Sequence, residues 1–391
     1  MTGFIQSIQR RTPLGWLQLS REKSRLLVAL AGIAFADVLM FMQLGFQTAL
    51  YDSNTRLSRS LQTDLVLLSP QARNMQNLST FSRRRLYQAM DVPGVKSTSA
   101  LYSDLVPWKH PETRQETNIQ LLGFDPEQPA FDLPEVNQQL HKLKLSDTIF
   151  FDRNTRGDYQ GAIAQINRGQ VVTTEIRGRT ITLNGLFTVG ASFAADGNLI
   201  TSDQNFLLLF PRREAASISL GLIQLQPGHD PEQVAATLRD HLPDDVNVLT
   251  HQGFVKFEEA YLQKTSPISF IFGLGTTMAF IVGVVIVYQV LSTDVNAHLK
   301  EYATFKAMGY PNRYLLLVVF EEAVILACLG FIPGLLLPLG LYQLAAKATA
   351  LPIYMTATRA FTVLVLTLIM CGMSGAIATR KLQSADPADM F

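Results

Sequence analysis

Four long, nearly uncharged runs limit what this sequence can fold into. They lie at 26–47, 268–291, 314–345 and 360–379. A helix of about 20 apolar residues crosses a hydrocarbon core about 30 Å thick, and each run is long enough to do so. Only 17% of the residues are charged, against about 25% in a typical soluble protein. We therefore predict four transmembrane helices.

The first run has two interpretations, a cleaved signal peptide or a retained span. It begins after a basic stretch of 25 residues, and its end, GFQTALYDS, lacks the small-residue pattern of a cleavage site. These features favour a retained span. The preceding residues 1–25 are predicted to form an amphipathic helix in the headgroup layer, with Trp16 at the interface, or else a disordered basic leader.

The insertion 48–267 is hydrophilic, without a low-complexity linker, and is predicted to be a folded α+β domain. Both cysteines, Cys328 and Cys371, fall in apolar runs, so no disulfide can stabilise this domain. Its first residues are predicted to extend span one as a helical stalk, and a second stalk leads back to span two. Strands are expected at 65–69, 95–108, 117–122, 217–225 and 246–250, two or three hairpin strands within 171–200, and helices at 81–90, 230–242 and 253–264. This order predicts a central mixed or antiparallel sheet.

The basic residues of the short segments set the predicted orientation. The segments 1–25, 292–313 and 380–391 carry most of them, whereas the loop 346–359 holds only Lys347 and Arg359. Basic residues concentrate on the cytosolic side of a membrane. We expect both termini and the 292–313 segment in the cytosol, and 48–267 and 346–359 in the periplasm of a multi-pass inner-membrane protein.

Small and ionisable residues inside the runs are the candidate packing or gating positions. Asp37 lies about 18 Å along the first helix from Arg25, near the bilayer centre, where a carboxylate costs about 2.5–3.5 kcal/mol. It is either a gate or a packing residue. In the second run, Gly275, Ala279 and Gly283 follow a four-residue spacing, which allows close helix contact. In the third run, Pro333 and Pro338 interrupt the backbone hydrogen bonding.

No motif for catalysis occurs in the sequence. The phosphate-binding pattern G-x-x-x-x-G-K-[ST], the zinc pattern H-E-x-x-H and the nucleophile pattern G-x-S-x-G are all absent, and the six histidines are scattered. We expect no catalytic residue, no metal and no directly bound cofactor, and no nucleic-acid partner. Any energy source must then come from another chain.

The charged segment 292–313 between the second and third runs is the candidate docking site. Val295, Leu299, Tyr302 and Phe305 share one helical face, Gly309 suits a helix C-cap and Pro311 stops the helix. Such a helix can insert its apolar face into a groove of a partner, or it can rest on the headgroups.

Three stretches carry a family resemblance. PLGWLQLSREKSRLLVALAGIAFADVLMFMQLGF, NAHLKEYATFKAMGY and SGAIATRKLQSADPADMF resemble the DevC-type membrane subunits of cyanobacterial ABC exporters, and the layout resembles MacB/FtsX/LolC-type permeases. The resemblance implies an α-helical membrane protein with four transmembrane helices plus a large α+β periplasmic domain of the MacB type. It also implies a homodimer, a DevA-like ATPase that consumes ATP, a DevB-like membrane-fusion adaptor and a TolC-like outer-membrane channel.

The resemblance further implies transport by mechanotransmission, with glycolipid as the best-known cargo of the family. The 292–313 segment would be the coupling helix, and its ATPase-docking candidates are Lys300, Glu301, Tyr302, Phe305, Lys306 and Met308. The alternative is an FtsX-like regulator that passes an ATP cycle to a periplasmic hydrolase without transport. A membrane-anchored sensor would need a cytosolic output domain, which the sequence lacks.

Overall fold

The computed structural model describes residues 23–265, 267–299, 301, 304 and 308–383. These residues separate into two compact units. The helical unit comprises residues up to 48, 270–346 and from 353 onward, and the α/β unit comprises 49–269 and 347–352. The predicted N-terminal helix 1–25 and the tail 380–391 lie largely outside the described residues.

Among the described residues, four helices are long and apolar enough to cross a membrane, as the sequence predicts. They are α1 (Lys23–Arg59), α9 (Pro267–Ala297), α10 (Asn312–Thr349) and α11 (Ala357–Gln383). Each is longer than the apolar run that predicts it, because polar residues at the ends continue the backbone hydrogen bonding of the helix. α10 runs through Pro333 and Pro338. It ends before Ala350, whose φ of 54° gives the left-handed conformation of a helix stop.

The α/β unit is built on a sheet of nine strands. Its strands and short helices are β1 (Leu65–Leu68), β2 (Phe81–Ser82), α2 (Arg84–Met90), β3 (Val95–Lys109), β4 (Glu116–Phe124), α3 (Pro134–Asn137), α4 (Leu140–Leu143), β5 (Thr148–Asp152), α5 (Gln160–Asn167), β6 (Val172–Ile176), β7 (Arg179–Phe187), β8 (Asn198–Ser202), α6 (Asp203–Leu209), β9 (Ser217–Ile218), β10 (Leu220–Leu225), α7 (Pro231–His241), β11 (Asn247–Thr250) and α8 (His251–Thr265). The strand order is β11-β1-β10-β3-β4-β8-β5-β7-β6. β4–β8 and β5–β7 are parallel pairs and the other pairs are antiparallel, so the sheet is mixed.

The sheet partly closes on itself. β6 also pairs with β3 through Ile176 and Trp108, so the strands β3, β4, β8, β5, β7 and β6 form a ring. Alternate residues of β1 enter two different cores: Leu65 and Leu67 join one apolar cluster, and Val66 and Leu68 join the other. A strand that is apolar at every position is therefore buried on both faces.

One local prediction is wrong. The region 81–90 is predicted to be one helix, but Phe81 and Ser82 form β2 and pair with β9, and the helix begins at Arg84. The error arises because strand pairing depends on residues far along the chain. Within 171–200, β6 and β7 form the expected hairpin, and the further strand β8 pairs with β4 and β5.

Candidate functional site

The 292–313 segment contains the predicted docking residues, and the structure describes two of them. Glu301 is exposed, and Met308 is 61% exposed. Lys300, Tyr302, Phe305 and Lys306 lie outside the described residues. The Met308 N–H donates to the Thr304 carbonyl at 3.0 Å, which is a helical hydrogen bond, and Gly309 has a φ of 89°. A helical turn ended by a left-handed glycine matches the predicted C-cap.

The beginning of this segment packs against α10. Val295 is 1% exposed and forms an apolar cluster with Val319, against which Leu299 and Tyr314 pack. Val295 and Leu299 were predicted to share the docking face, but their apolar surface contacts α10 of the same chain. The surface that the described residues offer to a partner therefore begins after Leu299.

A polar cluster lies beside this packing. Asp294 on α9 and Glu322 on α10 are 6% and 0% exposed, and their carboxyl groups interact electrostatically. His298 Nδ1 lies 3.5 Å from Asp294 Oδ2 and 3.1 Å from the Asp294 carbonyl. The cluster joins the end of α9 to α10 where the 292–313 segment begins. The sequence showed Glu322 within the third run, but its neighbour on α9 depends on the helix packing.

Asp37 lies inside the helical unit. Its side chain is 0% exposed, and Oδ1 lies 2.6 Å from Oγ1 of Thr367 on α11. A Cβ placed on Gly334 of α10 would lie 2.7 Å from the Asp37 Cβ. Asp37 thus contacts α10 and α11. Both hypotheses for this residue, a gate or a packing residue, require contacts with other helices.

The predicted small residues of α9 lie at helix contacts. A Cβ on Gly275 would lie 2.5 Å from Cδ of Gln43, and one on Gly283 would lie 2.9 Å from the Ala36 Cβ and collide with Sδ of Met370. Ala279 is 3% exposed. Gly275 therefore lies against α1, Gly283 lies against α1 and α11, and Ala279 is buried on the same helix.

A second glycine pair was not predicted. A Cβ on Gly330 of α10 would lie 2.6 Å from Cγ2 of Ile33, one turn before the contact between Gly334 and Asp37. The spacing G-x-x-x-G was visible in the sequence and is a known close-packing pattern.

The α/β unit contains a buried carboxyl that joins two helices. Glu258 on α8 is 1% exposed and accepts hydrogen bonds from the Ser58 hydroxyl, at the end of α1, and from the Met75 N–H at 2.5 Å. His251 Nε2 lies 2.8 Å from the Ser58 carbonyl. Burial raises the pKa of Glu258 from 4.5 to about 7, and the two hydrogen bonds oppose this rise. No motif or spacing in the sequence predicts this group.

Asp152 is the other buried acid with several donors. It is 0% exposed on β5 and accepts hydrogen bonds from the N–H groups of Asn154, Val189 and Gly190 and from the Asn198 amide, at 2.7–3.1 Å. Burial raises its pKa, and these hydrogen bonds lower it. The carboxyl holds the turn after β7 against β5 and β8. Among the described residues, no group of three or more His, Cys, Asp or Glu side chains could hold a metal ion.

Four helices able to cross a membrane and a separate α/β unit define a membrane protein with a large domain outside its apolar helices. Within this class, residues 270–387 match the family described as FtsX-like permease C-terminal. The match covers α9, the 292–313 segment, α10 and α11. This part of the chain is therefore similar to FtsX-like permeases, which is the broader of the two resemblances seen in the sequence.

Comparisons of the whole chain add little to this match. No curated protein matches it. The periplasmic region of MacB from Actinobacillus actinomycetemcomitans is 11% identical, with 53% of this chain and 96% of that chain covered and a TM-score of 0.33. The extracellular domain of the noncanonic ABC-type transporter YknZ from Gram-positive bacteria is 14% identical, with 48% and 100% covered and a TM-score of 0.30.

Proposed function

We propose that this chain is the membrane-spanning permease subunit of an ABC-type exporter and that a separate cytosolic ATPase drives it. The observation that carries the proposal is the 292–313 segment: it lies between two long apolar helices, inside the FtsX-like permease match, and exposes Glu301 and Met308. The chain has no phosphate-binding motif of its own, so the ATP is hydrolysed by the partner.

The orientation follows from the basic residues of the short segments. With 292–313 and both termini in the cytosol of an inner-membrane protein, the α/β unit lies in the periplasm. ATP-driven movement at 292–313 would then pass along α9 and α10 and reach the α/β unit by mechanotransmission. The contact of Val295 and Leu299 with α10 supports this route, since it ties the start of the segment to a long helix.

The finer assignment follows the DevC resemblance. It makes the chain a homodimer that works with a DevA-like ATPase, a DevB-like adaptor and a TolC-like channel, with a glycolipid or a similar lipophilic compound as cargo. In the FtsX-like alternative, the same topology regulates a periplasmic hydrolase. Purification of the complex from its own membrane separates the two, because an adaptor and an outer-membrane channel indicate export and a hydrolase indicates regulation.

The docking proposal is tested with the double variant Glu301→Ala plus Phe305→Ala in the full chain. We expect it to lose co-purification of the ATPase and transport-linked ATP turnover. The control is Glu127→Ala, because Glu127 is an exposed acid of the α/β unit, with 73% of its side chain accessible, and should change neither. If the double variant still co-purified the ATPase and kept the transport-linked ATP turnover, 292–313 would not be the docking site.

A further inference from the structure

Among the described residues, at most one hydrogen, that of the Thr367 hydroxyl, is available to an ionised Asp37. Thr367 Oγ1 lies 2.6 Å from Asp37 Oδ1 and 2.8 Å from the carbonyl of Val363, one turn earlier on α11. A hydroxyl has one hydrogen and can donate it to only one of these two acceptors. If Thr367 donates to Val363, the hydrogen between Thr367 and Asp37 must come from the carboxyl group.

The second oxygen of Asp37 has no donor at all among the described residues. Asp37 Oδ2 is buried and without a hydrogen-bond partner. It lies 2.8 Å from the position that a Cβ on Gly334 would take. Pro338 has no N–H and lies four residues after Gly334 inside α10, so the Gly334 carbonyl lacks its helical donor. The Gly334 carbonyl, which has no helical donor, therefore lies near Asp37 Oδ2, which has no donor either.

No positive charge compensates Asp37 within the described part of the chain. No salt bridge involves it there, and burial and the Thr367 hydrogen bond are the influences on its carboxyl. Among the described residues, the thiol of Cys371 on α11 is a titratable group that interacts electrostatically with Asp37. On α9, Gly283 lies close to Ala36 of the same turn of α1, and neither side chain is charged. A buried charge without a partner is costly, whereas a neutral carboxylic acid is tolerated.

We propose that Asp37 is a proton-binding site, occupied in the helix packing seen here, and that separation of α1 from α10 and α11 is coupled to release of the proton. On release, the carboxyl O–H bond breaks, the electron pair stays on the carboxylate and the proton passes to water that enters between the helices. Rebinding reverses these steps. The helical unit thereby couples its packing to pH.

Infrared spectroscopy of the full chain in nanodiscs at pH 7 tests the protonation directly. The difference between wild type and Asp37→Asn should show the C=O band of a protonated carboxyl, lost in the variant. Thr367→Val keeps Asp37 and removes one hydrogen bond, so it should shift the same band to higher frequency, even if the Asn variant does not fold. The control Glu259→Gln, at a partly exposed and salt-bridged acid, should remove carboxylate bands instead. Carboxylate bands lost in Asp37→Asn, or no band shift in Thr367→Val, would overturn the proposal.

The coupling is tested by the pH dependence of thermal unfolding, followed by far-UV circular dichroism. A folded state that holds the proton more tightly than the unfolded state becomes less stable as the pH rises. Asn resembles the neutral acid in shape and cannot ionise. Wild type should therefore lose more thermal stability between pH 6 and pH 9 than Asp37→Asn does. Equal losses in the two proteins would contradict the coupling.

Discussion

Glu258 should make the stability of the α/β unit depend on pH. Its pKa is raised by burial from 4.5 to about 7, so the folded unit binds the proton more tightly than the unfolded chain does. The stabilisation by this group is complete below pH 4.5 and is lost as the pH rises to about 7. Linkage over this range gives a loss of about 2–3 kcal/mol between pH 5 and pH 8.

The variant Glu258→Gln should remove this loss. A glutamine can accept from the Met75 N–H with its carbonyl oxygen, and its amide can donate to the Ser58 oxygen, at the place where the Glu258 carboxyl accepts from the Ser58 hydroxyl. We expect wild type and variant to be similar at pH 5 and the variant to be more stable at pH 8. For a unit of this size, a difference of about 2–3 kcal/mol corresponds to about 5–10 °C in Tm.

Tryptophan fluorescence of the full chain provides the assay. The chain has two tryptophans, and Trp108 is fully buried in the α/β unit, stacked on Phe151 with 5.5 Å between ring centroids. In a Trp16→Phe background, the emission therefore reports the unfolding of this unit alone. The reasoning is refuted if Glu258→Gln and its parent lose the same Tm between pH 5 and pH 8.

The neighbouring Glu259 supplies the matched control. It lies on the same helix, but it is partly exposed and pairs with Arg59 at 2.9 Å. Exposed pairs of this kind contribute about 0.2–1 kcal/mol. Glu259→Gln should therefore shift the Tm slightly at all pH values and leave the slope with pH unchanged.

Three further changes have defined outcomes. Gly283→Ala should lower the thermal stability of the detergent-solubilised chain, because its Cβ would collide with Met370, whereas Gly273→Ala on the same helix has no atom within 4 Å and should be neutral. Asp152→Asn should destabilise the α/β unit by about 1–3 kcal/mol by Trp108 fluorescence, because an amide N–H₂ would face buried donors; a neutral result would contradict the hydrogen-bond assignment. Arg156→Ala should speed hydrogen exchange at 347–352, since Arg156 Nε donates to the Thr349 carbonyl at 2.9 Å; unchanged exchange would exclude this anchoring.

The membrane helices could be predicted from the sequence because the signal is local. A run of about 20 apolar residues identifies a span without knowledge of its neighbours. The helices extend beyond the apolar runs because polar residues at their ends continue the helical hydrogen bonding. In this way α1 continues to Arg59. The existence of a mixed sheet could also be predicted from the element pattern, but its strand order could not. β8 pairs with β4 and β5 rather than β7 because of contacts between distant segments.

The polar contacts inside the fold show the same limit. Asp37 was visible as an ionisable residue in an apolar run, but its partner Thr367 lies 330 positions later. Glu258 lies within the helix predicted at 253–264. Its burial becomes visible only in the structure, where Ser58, 200 positions earlier, contacts it. Gly330 and Gly334 could have been predicted from their spacing. The docking residues of the 292–313 segment remain a prediction, since four of the six lie outside the described residues.

Cross-linking mass spectrometry on native membranes tests the proposed role most directly. A lysine-reactive cross-linker can react with Lys300 and Lys306 of the 292–313 segment and, for comparison, with Lys96 and Lys142 of the α/β unit. We predict cross-links from Lys300 or Lys306 to a nucleotide-hydrolysing subunit, and none to that subunit from Lys96 or Lys142. Cross-links of the ATPase to the α/β unit, or an ATPase-free neighbourhood around 292–313, would contradict the proposal that force enters the chain at this segment.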